Sequence, residues 1–235
     1  MLILAFETSA KAGSVALMDE HALLGESYCN TGLTHSQTLL AMAEDLLKSC
    51  GKTPSEISAV AAASGPGSFT GVRIGVAAAK GYAWGAEIPC CGVSTLEAMM
   101  LNLGIWDGIV CPVMDARRAQ VYNALFEMHE GVATRLVEDR AISLAELGEE
   151  LKNLQKPIFL VGDGSILCYN TLKDTVPGLI LPAEHRMHQR AAGVALAAKA
   201  MLLRGEAPSG AELTPNYLRL SQAERERLEK EKGEK

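Results

Sequence analysis

Length, composition and charge narrow the classes of protein to which this chain can belong. Its 235 residues suffice for one large domain or two small ones with a buried core, and 48% of them are hydrophobic. The net charge is −6, and residues 222–235 contribute five acidic and five basic residues to it. The acidic excess therefore lies in the rest of the chain, which argues against a direct, high-affinity grip on a nucleic-acid backbone.

Targeting signals and cysteine spacing predict the compartment. No apolar stretch reaches the roughly 20 residues that a membrane span requires, and no basic segment precedes the first apolar run as it would in a secretory signal. The six cysteines lack C-x-x-C spacing, so we expect reduced and mostly buried thiols. These observations predict a cytoplasmic protein that does not associate with a membrane.

The first quarter of the chain is predicted to form strands followed by a helix. Apolar runs bounded by turn residues predict three strands, over residues 2–8, 14–19 and 22–29. Thr34 and Gln37 have the spacing of a capping box, and apolar residues at helical spacing predict a helix over residues 34–50. A buried strand is predicted after it, over residues 57–64.

Residues 64–75 form a glycine-rich loop that leads from this strand into a second helix, predicted over residues 71–84. A glycine-rich loop at the start of a helix can place backbone N–H groups against an anion or a partner. The spacing G-x-G-x-x-x-G is one residue too long for the dinucleotide fingerprint, and no Gly-Lys-Ser/Thr follows as in a P-loop. Pro66 also lacks an N–H group, so the loop matches neither class of phosphate loop.

The second half of the chain repeats the pattern of the first. Three strands are predicted over residues 109–115, 119–128 and 132–139. A helix capped by Ser143 with Glu146, a strand over residues 157–161 and the turn Gly162-Asp163-Gly164 follow. Equivalent positions are separated by similar offsets, 108 residues from Glu7 to Asp115, 109 from Thr34 to Ser143 and 97 from Gly65 to Gly162.

A duplicated βββαβα unit is the plan of the actin/Hsp70/sugar-kinase (ASKHA) superfold, an α/β fold in which two lobes face each other across a nucleotide cleft. We therefore predict a first lobe over residues 1–105, completed by about residues 190–221, and a second lobe over residues 106–189. A helix over residues 188–203 would return from the second lobe to the first, and residues 213–219 would finish the first lobe. Residues 222–235 form a charged tail, predicted as a solvated or frayed helix.

Carboxylates end the first predicted strand of each lobe, at Glu7 and Asp115. In nucleotide enzymes of this superfold, such carboxylates hold a metal ion or orient water, and Mg²⁺ is usually bound through carboxylates and phosphates. The residual nucleotide cleft would then consist of Glu7, Thr8, Asp115, Gly162 and Gly164. The alternative is that each carboxylate caps a turn by accepting backbone N–H groups, or that Asp115 pairs with a neighbouring arginine.

Other catalytic and metal-binding patterns are weak. His185 and His188 have i, i+3 spacing but no third ligand nearby in the sequence. Ser68 lies between glycines but not in the G-x-S-x-G elbow of hydrolases. The sequence therefore predicts no catalytic residue and no metal site.

Small residues follow two lines along the predicted second helix. One line contains Gly71, Gly75 and Ala79, and the other contains Ala77, Gly81 and Gly85. Each interior glycine destabilises a helix by about 1 kcal/mol relative to alanine, and close approach of another backbone would compensate for this cost. One line must pack on the protein's own sheet, and the other could meet a partner.

The candidate partner interface combines exposed positions of the two predicted helices of the first lobe. Its residues are Leu39, Met42, Leu46, Gly71, Val72, Gly75, Val76, Ala79 and Tyr82.

Several motifs resemble the bacterial TsaB (YeaZ) family. The most specific is GPGSFTGVRIG at residues 65–75, and others are Phe6-Glu7-Thr8-Ser9, Thr34-His35-Ser36, Asp115-Ala116-Arg117-Arg118 and Pro215-Asn216-Tyr217-Leu218-Arg219. Gln37 departs from the family pattern, which more often has Glu at this position. The resemblance covers most of the chain and excludes only residues 129–160 and the last fourteen residues.

This resemblance implies a non-catalytic subunit that binds and activates the metal-dependent transferase TsaD. The product would be threonylcarbamoyladenosine (t6A) next to the anticodon of tRNAs that read codons beginning with A. The family implies a larger complex with the P-loop ATPase TsaE, a homodimer when the chain is alone, and only indirect contact with tRNA. In the family, the two first-lobe helices form the interface of the homodimer and that of the heterodimer with TsaD. No cofactor is expected to be tightly bound, and ATP or ADP is the candidate ligand at a subunit junction.

An ATP-dependent small-molecule kinase of the same superfold is the alternative. It would hold Mg²⁺ with Glu7 and Asp115 and bind adenine near Gly162-Asp163-Gly164. Residues 8–13 lack the Gly-Thr-rich phosphate hairpin of such kinases, which argues against this alternative. A peptidase would need a nucleophile, which the sequence does not convincingly offer.

Overall fold

Two five-stranded sheets organise the chain in the computed structural model, which describes residues 1–104, 106–206 and 208–219. The strands of the first sheet are β1 (Leu2–Glu7), β2 (Gly13–Asp19), β3 (Leu23–Cys29), β4 (Ala59–Gly65) and β5 (Cys90–Ser94), in the order β3-β2-β1-β4-β5. The pairs β1–β2 and β2–β3 are antiparallel, whereas β1–β4 and β4–β5 are parallel.

The second sheet repeats this arrangement. Its strands are β6 (Gly108–Asp115), β7 (Gln120–His129), β8 (Val132–Ser143), β9 (Ile158–Val161) and β10 (Leu179–Ile180), in the order β10-β9-β6-β7-β8. Here too the pairs β6–β7 and β7–β8 are antiparallel, and the pair β6–β9 is parallel. The predicted fold class, a duplicated βββαβα α/β protein, is confirmed.

Six α-helices of the described residues connect and cover the sheets. They are α1 (His35–Ser49), α2 (Phe69–Ala86), α3 (Thr95–Leu103), α4 (Leu144–Lys152), α5 (Ser165–Leu172) and α6 (Ala191–Leu203). Strands β5 and β10 and helix α3 were not predicted, whereas the predicted helices and strands are present within a few residues of their expected bounds. Within the described residues, no helix is both long enough and apolar enough to cross a membrane.

Of the two capping boxes that the sequence predicts, one is present, and a third helix has a cap that was not predicted. Ser143 and Glu146 form the predicted capping box of α4, and Ser68 caps α2 by accepting the Gly71 N–H. The capping box predicted for α1 is wrong, because the Thr34 side chain makes no cap hydrogen bond and only its carbonyl accepts the Gln37 N–H. Helix α6 begins three residues later than predicted, since Arg190 has extended backbone angles.

Apolar side chains arrange these elements in layers. Helices α1 and α2 cover one face of the first sheet, and α6 packs on the other face. Helix α3 packs beside α6 and covers the second sheet, whose opposite face is covered by α4 and α5. The lobe boundaries at residues 105 and 189 stay predictions, and the charged tail lies outside the described residues.

The N-terminus of α6 is fixed to the first lobe by polar side chains. Glu26, which is almost fully buried, accepts hydrogen bonds from the Arg190 guanidinium and from the Ala192 N–H. The Ser14 hydroxyl accepts the Ala191 N–H at 2.8 Å. These side chains replace the cap that the helix lacks in its own sequence and place α6 across the first sheet.

Candidate functional site

A cleft of about 650 Å³ lies between the two lobes, and we call it the interlobe cleft. It is lined by the turns that follow the first strand of each lobe, by the loop that leads into α2, and by a C-terminal segment. The lining residues are Ser9, Ala10, Lys11, Pro66, Gly67, Ser68, Phe69, Thr70, Met114, Asp115, Ala116, Arg117, Tyr122, Asp163, Asn216, Tyr217, Leu218 and Arg219. The structure therefore brings Asp115 to the cleft, whereas Glu7, Thr8, Gly162 and Gly164 do not line it.

Glu7 is fully buried and caps a turn. Its Oε1 accepts the Ser9 N–H at 2.6 Å, which confirms the turn-capping alternative. Its Oε2 and the Ser9 hydroxyl have no hydrogen-bond partner among the described residues. Burial, with a smaller contribution from Asp163, raises the pKa of Glu7 from its ordinary value of 4.5 to about 7.

Asp115 makes the equivalent contact in the second lobe. Its Oδ1 accepts the Arg117 N–H at 2.7 Å, so this carboxylate also caps a turn. The turn is strained, because Arg117, Arg118 and Ala119 have φ angles of 62°, 55° and 56°. Asp163 accepts a hydrogen bond from the Gln189 amide at 2.6 Å, and desolvation in the cleft raises the pKa of Asp163.

Gly13 and Gly162 are packed against the protein's own atoms and do not form an open phosphate loop. A nucleotide site needs glycines that leave the backbone open to phosphates. A Cβ at Gly162 would lie 2.2 Å from the Val113 carbonyl oxygen, and one at Gly13 would lie 2.7 Å from the His35 Nδ1 atom. These glycines accommodate the protein's own chain, and the Thr8 hydroxyl donates to the Gly71 carbonyl. Residues 1–104, 106–206 and 208–219 contain no group of three or more metal-ligating side chains.

Most of the predicted interface residues of α1 and α2 face inward. Leu39, Leu46, Val72, Val76 and Ala79 are buried in the core of the first lobe, so the expectation that they are exposed is wrong. The apolar stripe at helical spacing is the stripe that covers the sheet. Met42 and Tyr82 are half-buried.

The first line of small residues packs on the protein's own sheet. A Cβ at Gly71 would lie 2.1 Å from the Thr8 carbonyl oxygen, and one at Gly75 would lie 2.5 Å from the Thr8 hydroxyl. The glycines therefore let α2 approach β1 closely, and they are not available to a partner.

The second line of small residues faces outward. Hypothetical Cβ atoms at Gly81 and Gly85 meet no atom of the described part of the chain within 4 Å, and Ala77 is exposed. Trp84 beside this line is 86% exposed, and Leu40 on the neighbouring helix α1 is 64% exposed. We call these five residues the docking face. The spacing of the small residues revealed the line, but only the structure shows which line is exposed.

A C-terminal segment, residues 213–219, joins α2 to the second lobe, and the sequence did not reveal this role. The Lys80 ammonium donates to the Leu213 carbonyl at 2.9 Å, and the Asn216 N–H donates to the Ser64 carbonyl at 2.6 Å. The Arg219 guanidinium donates to the Ala116 carbonyl of the second lobe. As predicted, the segment packs on the first lobe, and it also forms one wall of the interlobe cleft.

The buried Glu7 carboxyl makes stability depend on pH. Its pKa is near 4.5 when exposed and about 7 when folded, so unfolding between these values releases a proton and stability falls as pH rises. We compare the free energy of unfolding of Glu7→Gln with that of the unchanged protein at each pH. The difference should favour the variant by about 3 kcal/mol more at pH 8 than at pH 4.5. Urea unfolding at both pH values measures this difference, with Glu184→Gln as the exposed control. An equal difference at the two pH values would contradict the prediction.

Comparisons with known proteins agree with this geometry. The two βββαβα lobes that face each other across a cleft define an α/β protein of the actin/Hsp70/sugar-kinase superfold. The family model described as tRNA N6-adenosine threonylcarbamoyltransferase (TsaD) matches residues 30–227. The chain belongs to the TsaB (YeaZ) family, as the relatives below show.

Individual relatives show how complete the similarity is. The tRNA threonylcarbamoyladenosine biosynthesis protein TsaB of Bacillus subtilis is 35% identical over 235 residues, which cover 99% of this chain and 100% of that protein. TsaB of Escherichia coli is 37% identical over 70% of this chain and 72% of its own. The structure of YeaZ from Pseudomonas aeruginosa matches with a TM-score of 0.76 at 27% identity, covering 92% of this chain and 99% of that chain.

Proposed function

We propose that this chain takes part in t6A biosynthesis on tRNA as a non-catalytic subunit that binds and activates a TsaD transferase. The docking face is the observation that carries the proposal. It combines an exposed tryptophan with a line of small residues on α2. The rest of the described chain does not cover this line. Membership in the TsaB family supports the biosynthetic role.

The chemistry of the docking face suits a partner helix. Gly81 and Gly85 destabilise α2 by about 1 kcal/mol each relative to alanine, and no contact within the described residues requires a glycine at either position. Small side chains let a second helix backbone approach closely, so that Trp84 and Leu40 lose their exposure to water. Burial of an apolar side chain stabilises a complex by about 2 kcal/mol.

The family model shows that this chain is related to a transferase, and the match spans both α1 and α2. A partner of the same fold would present equivalent helices, and the two helix pairs would form a bundle. In the absence of the transferase, the same face would pair with a second copy of this chain. TsaE would join the larger complex in the cytoplasm, and ATP or ADP would bind at a subunit junction.

The transferase would carry most of the affinity for tRNA, since this chain has a net charge of −6. The modified tRNAs would be those that read codons beginning with A. Activation then consists of holding the transferase in its working conformation, which requires that the complex bind that conformation more tightly than others.

Reconstitution with purified transferase, ATPase and tRNA tests this proposal against the kinase alternative. The double variant Glu7→Gln and Asp115→Asn removes both carboxylate charges and keeps the turn-capping oxygens. A docking subunit should still form the complex and support t6A formation within about twofold of the unchanged protein. Loss of t6A formation by a folded, assembled double variant would favour catalysis, and failure of the unchanged protein to bind the transferase would refute the proposal.

A further inference from the structure

Cations gather at the mouth of the interlobe cleft although the chain as a whole is acidic. Lys11, Arg117 and Arg219 line the cleft, and Arg118 is exposed on the same turn as Arg117. None of the ion pairs formed within residues 1–104, 106–206 and 208–219 includes any of these four side chains. Their charges are therefore available to an anionic ligand.

The strained turn between β6 and β7 presents two of these cations. Asp115 caps the turn through the Arg117 N–H, and the Arg219 guanidinium binds the Ala116 carbonyl. Left-handed backbone angles at Arg117, Arg118 and Ala119 are energetically unfavourable for these residue types. The C-terminal segment thus supports a conformation that the turn would not favour by itself.

An aromatic platform stands beside the cations. The rings of Phe69 and Tyr217 are stacked with their centroids 4.7 Å apart, and the Arg73 guanidinium lies 3.7 Å from the Phe69 centroid. Arg73 Nε also donates to the Tyr217 hydroxyl at 2.7 Å. Tyr217 lines the cleft and remains 41% exposed, so its ring is held in place and still accessible.

Cations beside an exposed, fixed aromatic ring are the combination with which proteins bind single-stranded nucleic acid. A base stacks on the ring and the phosphates contact lysine and arginine. The cleft volume of about 650 Å³ falls within the range of about 300–1,000 Å³ that holds a compact ligand such as one nucleotide. Asp115 and Asp163 also line the cleft, so phosphates are expected beside the cations and away from these two carboxylates.

We propose that the mouth of the interlobe cleft binds a single-stranded segment of tRNA, with one base stacked on Tyr217 and the flanking phosphates beside Lys11, Arg117, Arg118 and Arg219. This inference rests on the proposed function for the identity of the RNA. It adds a local, direct contact to the indirect one expected from the acidic composition. An acidic peptide of a partner protein would need the same cations but not the aromatic ring.

Photo-crosslinking of the chain alone tests the contact independently of the transferase. The probe is a single-stranded RNA with the sequence of the anticodon loop and 4-thiouridine in place of uridine. We expect the cross-linked peptide to contain Tyr217. Tyr217→Leu should lower RNA affinity by roughly fivefold or more, whereas Tyr217→Phe, which keeps the ring, should lower it by no more than about twofold.

The cations are tested by the double variant Lys11→Gln and Arg117→Asn, because asparagine tolerates the left-handed backbone at position 117. Loss of two phosphate contacts should reduce the slope of log affinity against log salt concentration by about 1.4. The control is Lys173→Gln, which removes an exposed charge at the end of α5, outside the cleft. Circular dichroism and thermal melting confirm that each variant is folded.

Three results would overturn the inference. Folded cleft variants could bind RNA as the unchanged protein does, or Lys173→Gln could weaken binding as much as the cleft variants do. The cleft variants could also fail to bind the transferase while their cross-linking to RNA is unchanged, which would indicate that the cleft contacts a protein. Cross-linking at Tyr217 in a chain that does not bind the transferase would support the RNA contact and refute only the proposed function.

Discussion

Gly81→Arg is expected to abolish the assembly of this chain with the transferase while leaving its fold intact. A Cβ at this position meets no atom of the described residues within 4 Å, so we expect the isolated protein to tolerate the substitution. Arginine is also a better helix former than glycine, by about 0.8 kcal/mol. In the complex, however, a long cationic side chain would separate two helix backbones that are expected to lie in contact.

The expected loss of affinity for the transferase is at least about 100-fold, equivalent to about 2.7 kcal/mol. Calorimetric titration measures it, and t6A formation should fall in parallel. Ala145→Arg is the matched control, because it places the same side chain at an exposed position of α4 on the second lobe. Unchanged affinity of Gly81→Arg would show that the docking face is not the interface.

Gly71→Ala is expected to have the largest effect on stability. The added Cβ would lie 2.1 Å from the Thr8 carbonyl oxygen, which belongs to the backbone and cannot move aside without shifting the first sheet. The Thr8 hydroxyl also donates to the Gly71 carbonyl at 2.7 Å and fixes the start of α2 against β1. We expect a loss of about 3 kcal/mol or more, as for severe overpacking of a core.

Gly81→Ala on the same helix is the matched control. It adds the same methyl group in open space and should stabilise the isolated chain by about 1 kcal/mol, because alanine is the better helix former. Urea unfolding of both variants measures the two free energies. Equal effects at positions 71 and 81 would mean that helix propensity, and not the contact with Thr8, determines the role of these glycines.

The regular elements were predictable because local patterns determine them. Alternating and continuous apolar runs gave the strands of both lobes, and the capping box of Ser143 marked the start of α4. Strand β5 and helix α3 were missed, since the short apolar run Cys90–Ser94 carries no periodicity that separates a strand from a loop. The capping box predicted at Thr34 was wrong. The spacing of Thr34 and Gln37 allows a side-chain hydrogen bond to the helix but does not require one.

The cleft was predictable only in part. Duplication of the chain pattern placed Glu7 and Asp115 at equivalent turns, and both cap those turns as the simpler alternative expected. The wall formed by Tyr217 and Arg219 could not be predicted from the sequence. Tyr217 contacts Arg73, 144 positions away, and Arg219 contacts Ala116, 103 positions away. Contacts across such distances in sequence depend on how the lobes pack.

By itself, the sequence determined the repeated lobe and the fold class and family of the chain. Apolar periodicity, turn residues and sequence motifs are local properties, so they can be read without the tertiary structure. Tertiary structure alone decided which side of α2 is free. Both lines of small residues have the same spacing, and only the packing of α2 on β1 buries Gly71 and Gly75 and leaves Gly81 and Gly85 exposed. It also placed Phe69, Tyr217 and the cations at one opening, since side chains from four separate segments meet there only after both lobes have formed.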